Sequence, residues 1–250
     1  MSKTDFDLIV AGAGIVGIST ALWAQKEGLK TLICDPAPPG SGTTYGSACT
    51  IATYACIPVN SPTIFSALPH LLTSKDSPLS FNLAHGLKNP RWMLSFLNNC
   101  RPSRVKHVTQ ALGGFLRHAD SGLDPLIAEA DAQDLIVSND CLYVWSSRSG
   151  FENAATSNAM RAEQGVEFDE LGPYDIRSLE PNLQQAMHRG LRFKGARHIT
   201  NPQELVHRMQ LRFEALGGTY LPEKIDRTKA DDTGVTAYLG DGTQIRGKHL

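Results

Sequence analysis

One stretch constrains this chain more than any other: "DFDLIVAGAGIVGISTALWAQKEGLKTLICD", residues 5–35. Phe6 to Ala11 is an almost unbroken apolar run, which suits a parallel strand buried on both faces. Gly12, Gly14 and Gly17 come next in G-x-G-x-x-G spacing. Ile15 to Lys26 is rich in helix formers, with Ile18, Ala21 and Leu22 able to share one face, and Gly28 stands where a C-cap is wanted. A second apolar strand, Thr31 to Cys34, ends in Asp35, eighteen residues after Gly17. Strand, glycine turn, helix, strand and acid occur in the order of a nucleotide-binding α/β unit.

Each position has a physical task. Glycine at the second motif position lets a pyrophosphate approach the backbone, and glycine at the third lets helix and strand pack closely. The helix start at Ile15 and Val16 offers free N–H groups and the positive dipole end to phosphate. Asp35 can accept hydrogen bonds from both ribose hydroxyls of an adenosine, and its charge opposes a 2′-phosphate. These features specify an adenine dinucleotide other than NADP, and leave NAD and FAD open.

The residues after Asp35 bear on that choice. A nicotinamide enzyme would continue with alternating helices and strands, whereas Pro36 to Ser61 reads "PAPPGSGTTYGSACTIATYACIPVNS", a long irregular tract of small and hydroxylic residues. Loops this long in compact domains are usually functional or disordered. Ile51, Tyr54 and Ile57 are too apolar for a disordered linker. Such a tract can run beneath a flat ring system, with backbone N–H groups and Ser or Thr hydroxyls aimed at it. Tyr54 is a candidate to border a substrate there, though the tract also reads as a structural Ω-loop.

Charge and composition narrow the class. Lys plus Arg (24) nearly cancels Asp plus Glu (25), so no nucleic-acid partner is expected. The five cysteines form no C-x-x-C pair, and the histidines, among them His85, His107, His118 and His188, show no metal spacing. No apolar run reaches the roughly 18 residues of a membrane span. A cytoplasmic, reduced protein is the expectation, and hydrolase motifs are missing.

Beyond residue 78 the character changes. "PRWMLSFLNNC" and "VKHVTQALGGFLRHADSGLDPLIAEAD" are helical, the second expected to be divided at Gly113-Gly114 and Gly122. "CLYVWSS", Val166 to Phe168 and "GLRFKG" read as strands, and "SGFENAATSNAMRAEQG" as a helix. Residues 79–194 are therefore expected to form an inserted α+β domain, with 1–78 and 195–250 forming the nucleotide domain. In the latter, Asn201-Pro202-Gln203-Glu204 starts a helix with apolar positions Leu205, Met209, Phe213 and Leu216. A strand is expected at Thr219 to Ile225, then a hairpin turning at Asp241-Gly242.

Taken with "PGSGTTYGSACTIATYACIPVNSP", "PRWMLSFLNNC", "CLYVWSSRSGFENAATSNAMRAEQGVEFDEL", "LEPNL" and "GLRFKGARHITNPQELVHRM", the chain resembles the D-amino-acid oxidase superfamily of FAD-dependent oxidoreductases. Within it the likeness is nearest to D-amino-acid dehydrogenases of the small-subunit type. The resemblance implies a Rossmann-like FAD-binding domain of the glutathione-reductase type with an inserted α+β cap domain, C-terminally truncated, since such enzymes run to about 400 residues, two domains' worth. It implies FAD held by Gly12, Gly14, Ile15, Val16, Gly17, Asp35, Pro36, Thr43, Thr44, Ser47 and Ala48. Ile225 matches the position whose backbone pairs with adenine, and reads equally as a strand core residue. The family commonly carries Asn-Ala-Gly where this chain has Ser47-Ala48-Cys49, so Cys49 puts a side chain where glycine left space. The implied reaction is oxidative deamination of D-amino acids to 2-oxo acids and ammonia by hydride transfer to flavin, with a quinone or another electron acceptor and possible contact with the inner membrane. A glycine, sarcosine or hydroxyproline oxidoreductase, or a nucleotide-binding module without activity, are the alternatives.

Overall fold

The computed structural model describes residues 5–60, 62, 88–183 and 186–250; His85 and the expected boundary after residue 78 lie outside them. In chain order the strands are β1 (Phe6–Ala11), β2 (Thr31–Cys34), β3 (Thr50–Ile51), β4 (Ile136–Ser138), β5 (Cys141–Trp145), β6 (Phe168–Leu171), β7 (Arg189–Phe193), β8 (Arg197–Ile199), β9 (Thr219–Leu221), β10 (Ile225–Asp231), β11 (Gly234–Leu239) and β12 (Gln244–His249). The helices are α1 (Ile15–Lys26), α2 (Pro90–Asn99), α3 (Pro102–Leu116), α4 (Ala119–Glu129), α5 (Arg148–Asn153), α6 (Ala155–Glu163), α7 (Pro173–Leu179) and α8 (Pro202–Ala215). They divide into two units, one of Met1–Ile51, Asp120–Asn139 and Arg197–Leu250, the other of Ala52–Ala119 and Asp140–Ala196.

The first unit is built on a sheet of order β10-β11-β12-β1-β2-β9. β1 pairs in parallel with both β2 and β12, and β2 in parallel with β9, while β10, β11 and β12 form an antiparallel meander. The two-residue period of a strand sorts the side chains. Ile33 joins Ile18, Ala21 and Leu22 of α1 and Leu205, Val206, Met209 and Phe213 of α8 in one cluster. Ile9, Leu32 and Cys34 point the other way, into a second cluster with Ala237 of the meander. Burial of one such side chain contributes about 1.5–3 kcal/mol, so these two faces dominate the unit's stability.

The helix starts obey local chemistry. Asn201 precedes Pro202, and its side-chain oxygen accepts the Glu204 N–H at 3.1 Å. The hairpin turns as its composition requires: Asp241 accepts from the Thr243 N–H at 2.8 Å, and Gly242 takes φ +88°.

The second unit holds a smaller antiparallel sheet, β5-β7-β6. Its core is aromatic. Phe193 of β7 stacks on Tyr54 at 4.9 Å and meets Tyr143 edge-on at 5.0 Å and Phe168 at 5.6 Å. Aromatic pairs in such geometry add about 0.5–1.5 kcal/mol beyond their burial.

Several expectations are corrected. The unit boundaries differ from 1–78, 79–194 and 195–250, because Asp120–Asn139 belongs with the first unit. Leu126 and Ile127 of α4 enter the α1/α8 cluster, and Arg197 of β8 fastens α4 through Asp120 and Asp124, each at 2.6 Å. α3 runs unbroken through Gly113-Gly114 and Gly122 lies inside α4, the break falling between them after Leu116. Gly113 serves a close approach, since a Cβ there would sit 2.8 Å from Gln164 Oε1. The expected helix across "SGFENAATSNAMRAEQG" is two, α5 and α6, and the strand expected at Val166 to Phe168 lies at Phe168–Leu171. The strand expected at Thr219 to Ile225 ends at Leu221, and Ile225 opens β10.

Removing the N-cap of α8 tests this account. Asn201→Ala is expected to cost about 1 kcal/mol, read as a fall of about 2–4 °C in the thermal midpoint; an unchanged midpoint would show that the cap contributes nothing.

Candidate functional site

The site forms where β1 and β2 end side by side. Their parallel register sets Ala11 opposite Cys34, so the residues after each strand emerge at one edge. Gly12 turns the chain there at φ +109°, a left-handed conformation that a side chain disfavours. A Cβ on Gly17 would overlap the Gly12 carbonyl oxygen, so the third glycine is required by contact between α1 and the turn. The Gly12 N–H in turn donates to Cys34 O at 2.8 Å.

α1 begins with no acidic residue in its first turn and no side-chain cap from Gly14. Its dipole and leading N–H groups therefore face outward unneutralised, and Val16 in that turn is 77% exposed. One N–H is met: that of Ile15 donates to Thr44 Oγ1 at 3.1 Å. The same oxygen would lie 3.4 Å from a Cβ on Gly14, so the loop after Asp35 passes close over the helix start.

Asp35 closes the cradle from the other strand. Its Oδ2 accepts the Ala13 N–H at 2.7 Å and its Oδ1 the Ala37 N–H at 2.9 Å. Each oxygen still has a lone pair for a further donor, which is the capacity a ribose diol requires. Behind the acid, Gly40 N–H donates to Ala13 O at 2.9 Å, and Tyr220 of β9 places its hydroxyl 3.1 Å from both Asp35 O and Ala37 O. Burial first, then the neighbouring Asp35 charge, raises the Tyr220 phenol above its ordinary pKa. An adenine dinucleotide's phosphates and ribose fit this donor and acceptor set.

The remaining expected positions separate. Pro36, Thr43, Ser47 and Ala48 are exposed on the loop. Ile225 opens β10 opposite Leu239 and packs against the Ile9, Leu32, Cys34 and Ala237 cluster. Tyr54 lies in the interior of the second unit, and its hydroxyl is engaged with Cys141 Sγ at 3.0 Å. Burial, then that hydrogen bond, raises the Tyr54 phenol's pKa. Burial likewise pushes the Cys34 thiol up to about 11, and raises Cys56 and Cys100. These thiols are therefore protonated and unreactive at neutral pH. Among the described residues no cluster of metal ligands occurs. Tyr220 and Gly40 have no signal in the sequence, since a tyrosine in a strand and a glycine in a loop are ordinary there.

Cys49 takes φ +60°, in the left-handed region that favours glycine. The left-handed conformation costs a non-glycine residue about 1–2 kcal/mol. Cys49→Gly is accordingly expected to unfold at a higher temperature than Cys49→Ala, by the equivalent of about 1 kcal/mol. Equal midpoints for the two variants would show an unstrained loop.

The family model described as FAD dependent oxidoreductase (DAO) matches residues 7–247. The D-amino-acid oxidase of Bradyrhizobium diazoefficiens is 26% identical over 239 residues, 94% of this chain and 56% of that protein. D-amino acid dehydrogenase 2 of Ralstonia nicotianae is 28% identical over 178 residues, 70% of this chain and 42% of that protein. Of solved structures, glycine oxidase from Geobacillus kaustophilus superposes with a TM-score of 0.64 at 13% identity, covering 97% of this chain and 53% of that one. L-amino acid deaminase from Proteus vulgaris gives 0.62 at 12% identity, covering 98% and 46%. At these identities the structures show a common fold alone. The chain spans about half the length of the relatives it matches. With the family model running nearly end to end over the glycine turn, the acid and the meander, the chain belongs to the FAD dependent oxidoreductase (DAO) family, whose cofactor is FAD.

Proposed function

We propose that this chain supplies the dinucleotide-binding part of an FAD-dependent enzyme that deaminates D-amino acids oxidatively to 2-oxo acids and ammonia. The observation that carries the reading is the DAO family match over residues 7–247, together with relatives of 24–28% identity named for D-amino acids. Bound FAD supplies the acceptor for the electron pair of the substrate's α-C–H bond. The residues of this chain bind and orient it. Gly12, Gly14 and the N–H groups of Val16 and Gly17 take the pyrophosphate, with Ile15, whose N–H is held by Thr44, beside them. Asp35 takes the adenosine ribose, and the backbone of Ile225 the adenine edge. Pro36, Thr43, Thr44, Ser47 and Ala48 run beside the remainder of the cofactor.

The test is optical. Full-length protein purified with FAD should absorb near roughly 450 nm, a property of the flavin itself, and D-alanine without oxygen should bleach the band. Bleaching by glycine, sarcosine or L-alanine in its place would overturn the substrate assignment. Protein that cannot be loaded with FAD would overturn the enzymatic reading.

The electron acceptor is proposed to be a membrane quinone, reached by peripheral contact with the bilayer. Residues 88–119 carry six Lys or Arg and no Asp or Glu, in a chain whose net charge is −1. Trp92 of α2 and Phe115 of α3 are 56% and 81% exposed beside them. Val59, Trp92 and Phe96 line one groove with Val108, and Arg104 stands one helical turn before Val108 on α3. Basic residues interleaved with exposed aromatic ones suit an anionic lipid surface. No described helix is long and apolar enough to cross a membrane. Full-length protein should float with phosphatidylglycerol vesicles and not with phosphatidylcholine vesicles, and Arg91→Glu with Arg104→Glu should abolish flotation. Equal flotation with both lipids, or of the variant, would count against the surface.

A further inference from the structure

We infer that Tyr220 is a positioning residue for cofactor binding: its hydroxyl holds the Asp35–Ala37 backbone so that the Asp35 carboxylate faces the ribose. The inference rests on the reading of Asp35 as the ribose acceptor.

The segment after β2 runs Asp35-Pro36-Ala37-Pro38. Proline has no N–H, so this stretch has only two backbone donors. The Asp35 N–H donates to Leu221 O at 3.2 Å, and the Ala37 N–H to Asp35's own Oδ1 at 2.9 Å. The carbonyls of Asp35 and Ala37 both turn instead toward β9, where the Tyr220 hydroxyl stands 3.1 Å from each and shares its one proton between them. Tyr220 is itself immobilised: β9 pairs in parallel with β2, with Tyr220 opposite Ile33, and its ring packs against the α1/α8 core. With both carbonyls drawn to β9, the Asp35 side chain is directed the opposite way, to the Ala13 N–H at the glycine turn. A side-chain hydroxyl thus anchors two carbonyls of a stretch that has few backbone donors of its own. Tyr220's hydroxyl contacts are with the backbone of Asp35 and Ala37, so it acts through Asp35.

The experiment uses full-length apoprotein. FAD affinity is measured by quenching of flavin fluorescence, and ribose recognition by competition with ADP and with 2′,3′-dideoxy-ADP. Tyr220→Phe keeps the packed ring and removes only the hydroxyl. It is expected to weaken FAD about 3- to 10-fold, as loss of one hydrogen bond does. It should also shrink the preference for ADP over the dideoxy analogue, and cost nothing further in an Asp35→Asn background. A structural contribution alone would lower the thermal midpoint and leave that preference intact. If Tyr220→Phe leaves the preference unchanged, or its loss persists in full with Asp35→Asn, the inference is overturned while the Asp35 reading stands. If Asp35→Asn itself leaves FAD affinity and the ADP preference unchanged, the reading of Asp35 fails, and the inference with it.

Discussion

The 2.7 Å hydrogen bond from the Ala13 amide to Asp35 Oδ2 ties the ends of two neighbouring strands into one rigid corner. A bond of this kind, to an ionised carboxylate, contributes about 1.5–3 kcal/mol. Its geometric effect is larger. Without it the glycine turn and the acid would be two separate loops. With it the start of α1 and the carboxylate keep a fixed separation, which a dinucleotide's pyrophosphate and ribose require. The β1–β2 register, the Gly12 turn and the contact between Gly17 and the Gly12 carbonyl all serve to bring those two atoms together. Asp35 is a structural brace, and the ribose-accepting role proposed for it is compatible with that because each carboxylate oxygen accepts twice.

What was legible in the sequence is what local physics dictates. β1, α1 and β2 fall where the apolar runs, glycines and acid place them, and Asn201 caps α8 through its own side chain. The β11–β12 hairpin turns at Asp241-Gly242 for the same reason. The readings at Gly113-Gly114 and at α4 failed because each depended on a distant partner. Gly113-Gly114 looks like a helix break until Gln164 of another segment occupies the space that glycine leaves. α4 looks like a continuation of the inserted domain until its Leu126 and Ile127 meet α1 and α8. Tyr220 reads as an ordinary strand residue because the two carbonyls it reaches are more than 180 positions away.

β12 shows the same limit in a single strand. Gly247 faces Val235 of the meander on one side and Phe6 of the parallel sheet on the other. Antiparallel and parallel ladders meet at that residue. A Cβ there would come within 2.8 Å of Ile9 on the sheet's buried face, so glycine is the residue the junction admits. Hairpin chemistry makes β11 and β12 readable as a pair. It says nothing of the second ladder, which attaches the meander to the strand bearing the nucleotide turn.

The contacts proposed for the cradle are with parts of the cofactor common to FAD enzymes: phosphates, ribose and adenine. None of them distinguishes one amine from another. Solved structures named for glycine oxidation and for L-amino acid deamination share this chain's fold at TM-scores of 0.64 and 0.62, so the fold by itself does not select the amino acid. Substrate handedness is a question of which groups hold the carboxylate and amine while the α-hydrogen faces the ring. On the proposed reading, residues that brace the nucleotide end, Tyr220 among them, change how tightly the cofactor is held without touching that choice. Variants at Asp35 or Tyr220 and variants that alter substrate preference should therefore be energetically independent, as sites sharing no partner are.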